Sequence, residues 1–132
     1  MPTSPDPAVT HLLDTSAVLA YVLNEPEASY VAPLYPHMAL AFISIAEMYA
    51  ALWLKFSQSK ANEVIATIKE WQRPWLWPTE NTVLLAGRFR AVYRLDLADS
   101  FIAALASVHN VTLVTKDQDF RTLQPELKLR FL

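Results

Sequence analysis

Short apolar runs alternate with helix-length segments along most of this chain, and that alternation restricts its fold more than any other feature. Val9–Leu13, Met38–Ile43, Trp75–Trp77 and Val111–Thr115 have strand length, and Leu127–Leu132 alternates weakly, as a last edge strand would. Between them lie helical stretches. Thr15–Leu23 is closed by Pro26, and Glu27–Tyr35 is followed by Pro36. Ser44–Phe56 places Ile45, Met48, Tyr49 and Leu52 at helical spacing, and Lys60–Trp71 places Val64, Ile65 and Ile68 on one face. Thr79–Tyr93 and Asp96–His109 complete the set, with Asn110 as a left-handed cap. Strands joined through helices form parallel pairs covered on both faces. The expected class is α/β: a three-layer αβα fold around a central, mostly parallel sheet of four to five strands. A length of 132 residues favours one domain, over 9–132, after a loose proline-rich tail over 1–8.

Composition removes several kinds of chemistry. There is no cysteine, so disulfides, zinc thiolates and thiol catalysis are excluded. Glycine occurs once, at Gly87, so neither a dinucleotide fingerprint nor a P-loop can be built. The net charge of −2 does not advertise nucleic acid, and any such contact must come from local basic groups or a bound cation. Met1–Asp6 lacks the basic and apolar regions of a signal peptide. The longer apolar runs are interrupted by Ser44, Glu47 and Asp99. The chain reads as a soluble, cytoplasmic protein.

Ligands of open parallel sheets bind beyond the carboxyl ends of the strands. Asp14 ends the first strand, and Asp117 follows the strand Val111–Thr115. Glu47 and Asp99 fall in the first turns of two very apolar helices. Each acid also has a purely structural reading. Ser44 and Glu47 have capping-box spacing, Asp96 and Asp99 are spaced as a cap pair, Asp14 can cap the helix after it, and Asp117 and Asp119 can be turn residues. Together, four acids in apolar surroundings repel one another, and burial raises their pKa values. A divalent cation removes both penalties, and an all-oxygen donor set points to Mg²⁺ or Mn²⁺. His11 and His109 read as ordinary strand and helix-end residues.

The ordered set apolar-Asp14-Thr15-Ser16, Ser44-x-x-Glu47, Leu97-x-Asp99-x-x-Ile102-Ala103-Ala104-x-Ala106 and Val114-Thr115-x-Asp117-x-Asp119-Phe120 resembles the PIN-domain family, and within it the compact VapC-type toxins. The resemblance spans roughly 9–132. It implies a Mg²⁺- or Mn²⁺-dependent ribonuclease acting on single-stranded RNA. Its acids would be Asp14, Glu47, Asp99 and Asp117, with Asp14, Asp99 and Asp117 as metal ligands. Ser16, Thr115 and Asp119 would support them. It also implies a homodimer and a cognate antitoxin, bound in an apolar groove made by the helices over 15–35 and 44–71. Three features depart from the usual pattern: Asn110 stands where many relatives have glycine, Asp96 is an additional acid, and the proline-rich tail before the first strand is longer than usual.

Lys116, Arg121 and Arg94 are candidate RNA contacts, Lys116 because it adjoins Asp117; Arg88 and Arg90 read better as solvated helix charges. Trp53, Trp71, Trp75 and Trp77 read mainly as core, with an interface role open to some. Three other readings stand beside the nuclease. A haloacid-dehalogenase-like phosphatase wants Asp-x-Asp after the first strand, and position 16 is Ser. A phospho-acceptor receiver shares the strand–helix order but wants an adjacent acid pair after its first strand, which Leu13-Asp14-Thr15 lacks. In a non-catalytic binding module the acids would be caps and the apolar helices would serve dimer or peptide contacts.

Overall fold

The computed structural model describes residues 8–132; apart from Ala8, the expected tail lies outside the described residues. Five strands form one sheet: β1 (His11–Leu13), β2 (Met38–Ala41), β3 (Trp75–Leu76), β4 (Thr112–Thr115) and β5 (Leu129–Phe131). Their order is β3-β2-β1-β4-β5, and every pairing is parallel. The expected sheet is therefore present, wholly rather than mostly parallel.

Among the described residues six α-helices connect the strands: α1 (Thr15–Val22), α2 (Ala28–Val31), α3 (Ser44–Lys55), α4 (Gln58–Glu70), α5 (Glu80–Tyr93) and α6 (Leu97–His109). Successive strand residues point to opposite faces, which divides the core in two. Leu12, Ala39, Ala41 and Leu113 face α5 and α6, together with Phe89, Ile102, Leu105 and Phe120. Leu13, Met38, Leu40 and Val114 face α1 to α4, against Val18, Met48, Leu52, Val64 and Ile68. These two layers are why the strands read as continuous apolar runs.

Three local outcomes differ from the sequence reading. The stretch Glu27–Tyr35 is not one helix: α2 lasts four residues and a 3₁₀ segment, Ala32–His37, replaces the rest. Pro33 and Pro36 lack the amide protons that a longer α-helix needs. The fourth helix begins earlier, because the Ser57 side chain accepts from the Lys60 amide and caps it. The Ser44–Glu47 capping box does not form. Ile43 occupies the cap position with no side-chain bond, and both polar residues turn toward α1 instead.

Among the tryptophans, Trp71 packs edge-on against Tyr21 and Tyr35, and Trp77 stacks on Phe42. Trp53 keeps 45% of its surface exposed.

Candidate active site

β1 is flanked by β2 on one side and β4 on the other, with each neighbour's connection leaving in its own direction. The carboxyl end of β1 is thus a topological switch point, where a crevice opens. Asp14 stands there.

The residue is 3% exposed, and both oxygens of its carboxylate are engaged by the chain. Oδ1 accepts from Ser16 Oγ at 2.6 Å and from the Ala17 amide at 2.9 Å, so Asp14 does cap α1. Oδ2 accepts from Thr115 Oγ1 at 2.5 Å, across to β4. Thr115 Oγ1 accepts in turn from the Asp117 amide at 2.8 Å, and Ser16 Oγ from the Lys116 amide at 2.9 Å. Asp117 Oδ1 accepts from the Asp119 amide at 2.9 Å, which makes the expected turn. One connected network thus joins the ends of β1 and β4. Burial pushes the Asp14 carboxyl above its ordinary pKa, the Ser16, Thr115 and Ala17 bonds oppose this, and the Asp117 charge adds to it.

Thr15 stands in the motif after Asp14 but received no site role from the sequence. Its hydroxyl lies 2.5 Å from Glu47 Oε1 and 3.0 Å from Ser44 Oγ. It fixes Glu47, on α3, against the start of α1. The signal that could have exposed it was the failure of a better partner: Ser44 reads as a cap only if no neighbouring helix competes for it.

Asp99 lies in the first turn of α6, whose cap is Asp96: Asp96 Oδ1 accepts the Asp99 amide at 2.8 Å. Among the described residues no donor satisfies the Asp99 carboxylate. Its pKa is pushed up to about 7, first by burial and then by the charges of Asp96, Asp117, Glu47 and Asp14. The chain therefore brings Asp14, Glu47 and Asp117 within electrostatic reach of Asp99. Asp96, Asp99 and Asp119 line a cleft of 690 Å³ with Arg94 and Arg121.

The basic candidates differ in availability. Lys116 Nζ is 3.1 Å from both Glu25 and Glu27, so its charge is already matched within the chain. Arg121 donates to Gln118 and lies 5.1 Å above the Phe131 ring. Arg88 pairs with Glu126 and Arg90 donates to the Leu95 carbonyl, roles within the fold. Arg94 is exposed and unpaired.

Among the described residues no three acidic or histidine side chains close a metal-binding shell by themselves. The donor set nonetheless fits a hard divalent cation. It is all oxygen, and its central carboxylate, Asp99, is half-buried among like charges with no compensating donor. Mg²⁺ keeps several waters and takes one or two carboxylates rather than a full protein cage.

The PIN domain family model matches residues 11–124, and the chain belongs to the PIN-domain family. Within that family its fold is the compact one of VapC-type chains. It is similar to VapBC of Salmonella typhimurium, solved bound to DNA, with TM-score 0.77 and 17% identity over 93% of this chain and 98% of that one. It is similar to VapBC-1 of nontypeable Haemophilus influenzae, with TM-score 0.71 and 22% identity over 92% and 96%. It is similar to VapC20 of Mycobacterium tuberculosis, described as a sarcin–ricin loop cleaving toxin, with TM-score 0.70 and 12% identity over 86% and 94%. Comparison with curated protein sequences returns no match. Membership of this family sets aside the receiver-like reading.

Proposed function

We propose that the protein is an endoribonuclease that cuts single-stranded RNA with the help of Mg²⁺ or Mn²⁺, and that it is the toxin of a cytoplasmic toxin–antitoxin pair. The observation that carries this reading is Asp99. A half-buried carboxylate with no donor, raised by burial and then by the charges of four other acids, is costly to keep ionised at neutral pH, and a bound cation offsets that cost.

Asp14, Asp99 and Asp117 are the residues that would hold the ion, with Glu47 reaching it through water. When bound, such an ion lowers the pKa of water and offsets charge developing on phosphate. The remaining work falls to the chain. Thr115 and Ser16 hold both oxygens of Asp14 in place, so that carboxylate needs no reorganisation. Thr15 holds one oxygen of Glu47. The other oxygen is left to accept a proton from the water that attacks phosphorus in line. A ribose oxygen leaves and takes up a proton from solvent.

The solved relatives suggest the partner. Several are VapBC complexes, and a complex called FitAB is also bound to DNA. Exposed apolar side chains suit both an antitoxin and a second copy. Trp53, Leu54 and Phe56 stand out at the end of α3, and Leu84 and Val92 on α5. No helix of the described residues is long and apolar enough to cross a membrane.

The test is cleavage of a single-stranded oligoribonucleotide by purified protein. Cleavage should need Mg²⁺ or Mn²⁺, stop with EDTA, and be lost in Asp99→Asn. A chain that binds partners but never cleaves, with either ion, would be the non-catalytic module.

A further inference from the structure

Among the described residues three non-glycine residues have left-handed backbones: Asn24 (φ 54°), Arg94 (φ 61°) and Asn110 (φ 53°). After glycine, asparagine accepts this region best, because its short side chain bonds locally. The chain uses it accordingly at two of the three positions. Asn110 ends α6 in this way. Arg94 ends α5 in the same conformation, where arginine has no backbone advantage.

Nor does the rest of the fold use that side chain. Among the described residues its guanidinium takes no hydrogen bond, ion pair or ring contact. It lines the 690 Å³ cleft shared by Asp96, Asp99 and Asp119, yet pairs with none of them. Arg121, the other cation of the cleft, is already held by Gln118 and the Phe131 ring. A backbone conformation that disfavours the residue, together with an unpaired charge in the cleft, is the pattern of a side chain kept for a ligand.

We propose that Arg94 binds the substrate, gripping a phosphate of the RNA strand beside the bond that is cut. This rests on the nuclease reading above. The acids of the cleft repel an RNA strand, and a chain of net charge −2 offers no long-range attraction. A local cation must offset that repulsion, and a planar guanidinium matches a phosphate with two parallel bonds.

Arg94→Asn installs the residue the chain prefers at this geometry, and Arg94→Lys restores the charge alone. Arg94→Asn should melt at the wild-type temperature or a few degrees above. Its KM for single-stranded RNA should rise roughly tenfold, with kcat little changed. In an Asp14→Asn background, where the strand stays intact, the salt dependence of oligonucleotide binding should become shallower by about 0.7. Arg94→Lys should recover the salt slope and part of the KM. If wild-type protein cleaves RNA and Arg94→Asn leaves KM and salt slope unchanged, this assignment falls alone. The same holds if only affinity for a partner protein drops. If wild-type protein shows no cation-dependent cleavage, the nuclease reading falls and takes the assignment with it.

Discussion

Thr15 Oγ1 lies 2.5 Å from Glu47 Oε1, so the residue directly after Asp14 holds the carboxylate of a different helix. A single dipeptide thereby sets two of the acids relative to each other. Thr15→Val keeps the branched shape and removes the donor. We expect kcat to fall about 10–100-fold, the range seen when such supporting bonds are lost. Stability should drop by only about 1 kcal/mol. Thr15→Ser should restore most of the rate. Equal kcat in wild type and Thr15→Val would show that Glu47 does not depend on this bond.

Asp99 contributes to the pH dependence of stability. Its folded pKa, about 7, lies above the ordinary value of 3.8. Between those values the folded state holds a proton that the unfolded state has lost, so stability falls as pH rises through this window. Without divalent ions the melting temperature should therefore decline from pH 4 to pH 7, and Asp99→Asn should flatten the decline. Mn²⁺ should raise the melting temperature more at pH 8 than at pH 5.5. Thermal melts across this range, with and without Mn²⁺, test it; a cation effect independent of pH would contradict it.

Asp14 combines a cap with a buried charge, and two substitutions separate them. Asp14→Asn keeps an acceptor for the Ala17 amide, so the fold should hold to within about 1 kcal/mol. Cleavage should nevertheless fall to background. Asp14→Ala should lose activity and about 1 kcal/mol more, as α1 loses its cap. Denaturant melts and RNA cleavage on the same preparations distinguish the two losses.

Lys116 should behave unlike Arg94. Its ammonium clamps Glu25 and Glu27, and Glu27 Oε2 is buried without a partner. Lys116→Met should lower stability by about 1 kcal/mol, or roughly 2–5 °C in melting temperature. RNA affinity and its salt slope should stay close to wild type. A fall in affinity as large as that in Arg94→Asn would mean the ammonium leaves its glutamates for the strand.

The sheet was legible because it is buried on both faces: a strand such as Met38–Ala41, wholly inside, has to be apolar throughout. The helical spacing of Met48 and Leu52 was legible because one stripe of α3 enters the core. Positions fixed by distant partners were not. Lys116 read as a phosphate contact because it adjoins Asp117, but Glu25 and Glu27, which neutralise it, are about 90 residues earlier. Ser44 and Glu47 satisfied a local rule, yet Thr15, 32 residues before Glu47, competes successfully for both. Local spacing identifies groups able to bond; the packing of α1 against α3 chooses between them.

Thr115 and Asp14, joined by one short hydrogen bond, are separated by 101 positions along the backbone. Every strand but the last, and all six helices, begin before Thr115 in the chain and are synthesised before that bond can close. A chain interrupted ahead of β4 assembles no acidic centre, however well its first half packs. Any chemistry of this centre thus waits until β4 has been synthesised.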